Sequence, residues 1–347
     1  MSKPLASLSL DLDNLWAYLK THGDAEWESF PSYLDVAVPR ILEFLEQRQT
    51  KITFFVVGQD AAIESNHVVL KSIADAGHEI ANHSFNHEPW LHLYRNDELV
   101  EEFERSEQAI LEATGQVTRG FRGPGFSCSD EVLNLLAHRG YQYDASTFPT
   151  FLGPVARAYY FLHSRFTSKQ KEDRKELFGK FRDGFQPNKP FAWQMGERQL
   201  LEIPVTTMPI FRLPIHASYV FYLAGFSRWL AKTYLRIALG LCRLTGTRPS
   251  FLLHPLDFMD VKDAPQMEFF PTMKLASERK VRLLGECLDM MEKHWKLVTM
   301  GEHAEAGLAN SPRSRPVPVT EFAEVASPAA IAATSDLVDS RVPVESP

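Results

Sequence analysis

Apolar and polar positions follow two rhythms along this chain, one suited to strands and one to helices. Residues 5–10 form a short apolar run broken by serines, which predicts a buried strand ending at Asp11. Residues 31–47 place Leu34, Val38, Ile41, Leu42 and Leu45 at helical spacing. The run 51–57 (KITFFVV) is β-branched and aromatic, a strand closed by Gly58. A helix over 61–76 stops at Gly77, and a short strand over 78–82 leads into HSFNH. Residues 96–114 predict a long amphipathic helix before Gly115, followed by a strand at 119–121. A helix at 129–139, with Asp130 and Glu131 in its first turn, precedes a short strand at 141–143.

Such alternation argues for parallel βαβ units and an α/β fold. Residues 150–198 break the rhythm with a charged, aromatic-bearing stretch, read as an insertion or elaborated loop. A strand at 200–206, a long helix at 221–244, a strand at 250–253, a helix at 276–294 and a last strand at 297–300 follow. From 305 to 347 the composition turns to Ala, Ser, Pro and Val, with Phe322 the only aromatic. This stretch is expected to be a disordered tail, too poor in apolar area to offset its ordering entropy. The expected folded unit is therefore residues 1–304.

Composition changes the picture in a few places. A hydrophobic share of 44% across 347 residues supplies a large core and excludes collagen-like or wholly disordered chains. The net charge of −7 argues against a nucleic-acid partner. Cys128, Cys242 and Cys287 form no CxxC pair, which suits a reducing setting. The N-terminal residues show no cationic segment followed by a long apolar one, so a cytoplasmic location is the expectation.

If the strands close into a barrel, functional side chains belong at their C-terminal ends. The polar residues just after the expected strands are Asp11, Asp13, His83, His87, Arg122, Asp144 and His254. All are of metal-ligand or acid–base type. Each has an ordinary reading too: a helix cap or turn for the aspartates, a polar loop for the histidine pair, a structural hydrogen bond for His254. His83 and His87 at i, i+4 would share one face of a helical turn and reach one ion, with Asp13 able to supply a third ligand.

In order, the segments SLDLDN (9–14), NHSFNH (82–87), FRGPG (121–125), YDAST (143–147) and FLLHP (251–255) resemble the motif series of the polysaccharide deacetylase family, the NodB-homology or carbohydrate esterase family 4 enzymes. The DxD of the first segment resembles the branch that begins DVD or DVE rather than the commoner adjacent pair. The resemblance covers about residues 5–300, leaving 150–198 unmatched. It implies a distorted (β/α) barrel of the NodB type and a metal-dependent hydrolase that removes an N-acetyl group from an amino sugar. Asp13, His83 and His87 would hold a divalent metal, with Zn²⁺ the first expectation and Co²⁺, Ni²⁺ or Mn²⁺ able to substitute. Asp11 would be the general base and Arg122 its orienting partner. His254 would protonate the leaving amine, with Asp144 holding its imidazole. A backbone N–H near Phe126 or Ser127 would meet oxyanion charge.

The implied partner is an N-acetylated amino sugar of the cell envelope or surface polysaccharide, or a lipid-linked saccharide precursor. Other readings are an amidohydrolase or deformylase acting on a different C–N bond, and an inactive carbohydrate-binding relative. Residues 226–244 combine a cationic stripe (Arg228, Lys232, Arg236) with apolar positions. They read as a barrel-covering helix or as a peripheral contact with an anionic membrane surface, at the inner membrane. Tyr219, Phe221, Tyr222, Tyr159, Tyr160 and Phe161 are candidates for a sugar-stacking rim. The oligomeric state is not indicated.

Overall fold

The computed structural model describes residues 3–155, 181–308 and 313–322. Ten strands form one sheet: β1 Leu5–Asp11, β2 Thr53–Val56, β3 Glu79–Asn82, β4 Gly120–Phe121, β5 Tyr143–Asp144, β6 Phe191–Met195, β7 Arg198–Glu202, β8 Ser250–Leu253, β9 Lys296–Val298 and β10 Ser314–Pro316. Strands β8, β1, β2, β3, β4, β5 and β7 lie side by side and parallel. The chain leaving β7 then meets β8, because the Thr206 N–H donates to the Ser250 carbonyl at 3.1 Å and the Ser250 N–H to Thr206 Oγ1 at 2.8 Å. That contact closes the ring. The expected distorted (β/α) barrel is therefore the observed fold.

Why β1 reads as apolar and serine in turn is now visible. Successive side chains of a strand point to opposite faces. Ala6, Leu8 and Leu10 pack outward into the main hydrophobic core. Ser7, Ser9 and Asp11 form the other face. Ser7 Oγ meets His303 Nδ1 at 2.9 Å, and Ser9 Oγ and Asp11 both meet the Arg122 guanidinium. The barrel interior is thus polar along β1, and the strand's carboxylate comes out at its C-terminal end. Helices Leu34–Gln47, Arg228–Thr245 and Ser277–Glu292 cover the outside through residues such as Ile41, Leu235 and Leu284.

Three expectations are corrected. The long helix over 221–244 is two helices, Ala217–Phe226 and Arg228–Thr245, broken where Ser227 adopts extended φ/ψ of −160° and 123° and caps the second helix. Serine is a favoured N-cap because its hydroxyl satisfies an otherwise orphaned helix N–H. The stretch 150–198 is more than an insertion: β6 lies within it and pairs antiparallel with β7, while 156–180 fall outside the described residues. The disordered tail does not start at 305. The helix Met300–Leu308 runs through that position, β10 pairs parallel with β6, and Val317 packs in a core cluster with Phe322 against it. Residues 323–347 lie outside the described residues. Among those described, no helix is long and apolar enough to cross a membrane.

His303 sits fully buried under β1, and burial lowers its imidazole pKa to about 4. The native state therefore refuses a proton that the unfolded chain accepts below its ordinary pKa of about 6.5. The stability due to neutral His303 is complete above pH 6.5 and is lost as pH falls toward 4. Chemical denaturation of His303→Gln across this window should give a ΔG–pH slope shallower than wild type by about 1 kcal/mol per pH unit; equal slopes would refute a buried neutral imidazole.

Candidate active site

The mouth of the barrel gathers polar groups from separate strand ends. Asp13 follows β1, and its Oδ1 lies 3.3 Å from His83 Nε2 and 3.0 Å from His87 Nε2. One ligand atom from each of these three residues lies within 4.8 Å of the others. His83 Nδ1 donates to the Arg122 carbonyl at 2.6 Å. A carbonyl can only accept, so Nδ1 carries a proton, and Nε2 is the ring nitrogen turned to Asp13. A metal-binding imidazole needs this orientation, held by this kind of outer hydrogen bond. The donor set therefore fits a divalent cation. Burial alone would push the Asp13 carboxyl up, but His87 and His83 hold it well below the usual carboxylate range. Burial alone would lower the His83 imidazole, yet Asp11 and Asp13 raise it.

His83 and His87 do not share a helical turn, as their spacing suggested. They lie in a loop after β3, with Ser84 and His87 at φ of 63° and 53°. Non-glycine residues pay about 1–3 kcal/mol for such backbone and keep it only where their surroundings enforce it. Here the enforcement is explicit. Asn82 Oδ1 accepts the Ser84 N–H at 2.8 Å, and Ser84 Oγ accepts the His87 N–H at 3.2 Å. Glu102, on the helix Asn96–Thr114, accepts the Phe85 and Asn86 N–H groups at 2.9 and 2.7 Å. The Gly58 and Gln59 N–H groups donate to the Ser84 and Phe85 carbonyls. Asn82 is itself tied through Tyr141 to Glu107, whose carboxylate pairs with the buried Arg139.

Asp11 and Arg122 form the second unit. Arg122 Nη1 donates to Asp11 Oδ1 at 2.5 Å and to Ser9 Oγ at 3.1 Å, while Nε donates to the Ala145 carbonyl at 3.1 Å. The guanidinium carbon lies 4.1 Å from the Phe55 ring centroid, a cation–π contact. The structure thus pairs Arg122 with Asp11, two residues from Asp13.

His254 leaves β8 one residue past Leu253, which pairs with Leu10, so it emerges level with Asp11. Its expected partner, Asp144, is elsewhere. Asp144 faces Glu202 across the β5–β7 ladder, and the two buried carboxyls hydrogen-bond each other, which needs a shared proton. Burial, with the Asp144 charge added, holds the Glu202 carboxyl well above its usual range. Asp144 also accepts from Ser146 Oγ at 2.6 Å, and Ser146 Oγ accepts the Gly123 N–H at 2.9 Å. Its role is therefore to fix the backbone beside Arg122. The residues actually under His254 are Ser218, whose Oγ is 3.3 Å from Nδ1, and the fully buried Asp257. Asp257 accepts from Ser218 Oγ at 3.0 Å and from the His254 backbone N–H at 2.8 Å.

The Phe126 and Ser127 N–H groups, expected to face the reaction, are spent on the Gly123 and Pro124 carbonyls within their own turn. Beside His254 opens a cavity of about 720 Å³ whose wall includes Phe126, Phe148, His216 and Tyr219. The His216 and His254 ring centroids are 6.0 Å apart. Of the expected rim, Tyr219 lines this cavity, Phe221 is core, Tyr222 is solvent-exposed, and residues 159–161 lie outside those described. Glu102, Ser218, Glu202 and Asp257 were not anticipated. Glu102 left a signal, since with Leu99, Phe103 and Ser106 it occupies the buried face of its helix.

Residues 27–143 match the family model described as polysaccharide deacetylase. A peptidoglycan deacetylase of Helicobacter pylori is 28% identical over 150 residues, 41% of this chain and 49% of that protein. A peptidoglycan-N-acetylglucosamine deacetylase of Bacillus cereus is 34% identical over 86 residues, 25% of this chain and 30% of that one. A solved structure from Mycobacterium smegmatis assigned to the polysaccharide deacetylases aligns with a TM-score of 0.60 and 20% identity, covering 93% of this chain and 96% of that one. Over residues 27–143 the chain is therefore similar to the polysaccharide deacetylases. It spans half or less of the length of these curated relatives, and the Mycobacterium structure supports the shared fold. The segments that carry the resemblance at 82–87 and 121–125 lie inside the matched region, whereas Asp11, Asp13 and His254 lie outside it.

The Asp13, His83 and His87 cluster should bind one divalent cation. Calorimetric titration with Zn²⁺ should show binding lost in Asp13→Ala, and weakened roughly 10–100-fold in Glu102→Ala, which frees the histidine loop. Wild-type affinity in a folded Glu102→Ala protein would refute the loop's role.

Proposed function

We propose that this protein is a metal-dependent deacetylase that removes the N-acetyl group of an amino sugar. The observation that carries the reading is the convergence of Asp13, His83 and His87 beside an Arg122-clamped Asp11. Two imidazoles and a carboxylate suit Zn²⁺, with Co²⁺, Ni²⁺ or Mn²⁺ as substitutes. When bound, such a cation lowers the pKa of a coordinated water and polarises the amide carbonyl.

The chain's own residues supply the rest. Asp11, at the end of β1, takes a proton from the attacking water. Arg122 fixes the direction of Asp11 through a charge-assisted hydrogen bond of 2.5 Å. His254 delivers a proton to the leaving amine, so amide and water become acetate and free amine. Ser218 and Asp257 hold the His254 ring from behind. The aromatic wall of the adjoining cavity suits the apolar face of a sugar. Relatives named for peptidoglycan and chitin support an N-acetylated amino sugar as substrate, and we place it in cell-envelope or surface polysaccharide, including its lipid-linked precursors.

The test is acetate release from N-acetylglucosamine oligomers and lipid-linked amino sugars. Chelation should abolish it and added Zn²⁺ or Co²⁺ should restore it, while Asp11→Asn should lower kcat by roughly 10²–10⁴. Formate or ammonia in place of acetate, or no product from the metal-loaded chain, would overturn the reading. Asp257→Asn should reduce kcat with KM nearly unchanged, since it positions the proton donor without touching substrate; a rise in KM alone would contradict that role.

A further inference from the structure

One face of the molecule is built unlike the rest. Between Glu202 and Asp257 lie 54 residues with no Asp or Glu and six Arg or Lys, in a chain whose net charge is −7. This stretch contains the helices Ala217–Phe226 and Arg228–Thr245. The second buries Ala231, Leu235, Ala238, Leu239 and Cys242 against the barrel. At 3.6 residues per turn, Trp229, Arg236, Ile237, Gly240, Arg243 and Leu244 fall within about one third of the circumference on the opposite side. There Trp229 is 73% exposed, Ile237 53% and Leu244 80%; on the first helix Phe226 is 73% exposed and stacks edge-on with exposed Tyr222. Glu286 pairs with Arg228 and Lys232 at one margin, and Arg236 and Arg243 stand on the stripe itself, also exposed.

We propose that this face docks on an anionic lipid bilayer, its aromatic and aliphatic side chains entering the interface and its arginines meeting lipid phosphates. Interfacial helices combine these two features, and each reinforces the other because cations lie beside the apolar groups they draw to the surface. A second copy of the same face would set arginine against arginine. A nucleic acid would leave Phe226, Ile237 and Leu244 without apolar partners. The helix Ala217–Phe226 also links this face to the site. Ser218 touches His254 near its start, and Phe226 ends it eight residues later, about 12 Å along the axis at 1.5 Å per residue. Docking would therefore hold the barrel mouth near the bilayer, where a saccharide carried on a membrane lipid presents its sugar. Only this last consequence rests on the deacetylase reading.

The experiment is flotation of the full chain with vesicles of phosphatidylcholine alone or with one third phosphatidylglycerol. Wild type should float with the anionic vesicles and bind the neutral ones at least about tenfold more weakly, with binding reduced by salt. R236Q/R243Q should lose about 25-fold in affinity, at roughly fivefold per cation. F226S/W229S should lose binding to the anionic vesicles, and both double variants should keep the wild-type melting curve and wild-type acetate release from soluble oligomers. No flotation with either vesicle, equal binding to both, or wild-type flotation of either variant would overturn the proposal. So would a dimer, seen by sedimentation, that the F226S/W229S variant dissolves. Flotation without acetate release would leave docking standing and sink the catalytic reading; acetate release without flotation would do the reverse.

Discussion

Burying the Asp11 carboxylate against a guanidinium inside the barrel is the constraint on which the rest of this site depends. Asp11 is almost fully buried, and a lone carboxylate there would cost several kcal/mol in lost hydration. Arg122 offsets that cost, but a buried guanidinium raises the same problem. The fold answers with Ser9, the Ala145 carbonyl and the Phe55 ring, which share the cation among β1, β2 and the segment after β5. Removing either partner strands the other, so the pair acts as one structural unit. The same Arg122 backbone carbonyl accepts from His83 Nδ1. One residue thus fixes both the Asp11 carboxylate and the His83 ring.

A second constraint is backbone strain. The histidine loop holds two non-glycine residues at positive φ, and almost every free polar group in it is tied to Asn82, Ser84, Glu102 or the segment starting at Gly58. Behind it, the Glu107–Arg139 pair and Tyr141 hold Asn82 in turn. Strain stored this way positions two imidazoles on one point before any ligand arrives, which is the form of preorganisation a binding site needs. The buried Asp144–Glu202 pair serves a similar end through Ser146 and Gly123.

What could be read from the chain itself followed a physical pattern. Asp11, Asp13, His83, His87 and Arg122 were legible because each follows an apolar strand, and parallel barrels expose their strand ends at one mouth. Asp144 was misassigned because its position depends on cross-strand register. It sits opposite Glu202, 58 residues away, and nothing local announces that pairing. Asp257, three residues beyond His254, was close in sequence but resembled an ordinary turn acid. The break at Ser227 was missed because helical periodicity continues on both sides of it. Strand β6 was hidden beside a charged stretch, and β10 lay in a composition suited to disorder, where pairing with β6 outweighs local propensity.

If Asp13, His83 and His87 together hold one divalent cation, it will occupy the point where their ligand atoms converge. Anomalous diffraction from crystals of the full chain grown with Zn²⁺, recorded on both sides of the metal edge, tests it most directly. A single strong peak should lie about 2.0–2.2 Å from Asp13 Oδ1, His83 Nε2 and His87 Nε2. A peak bound through other side chains, or none at this position in zinc-saturated crystals, would contradict it.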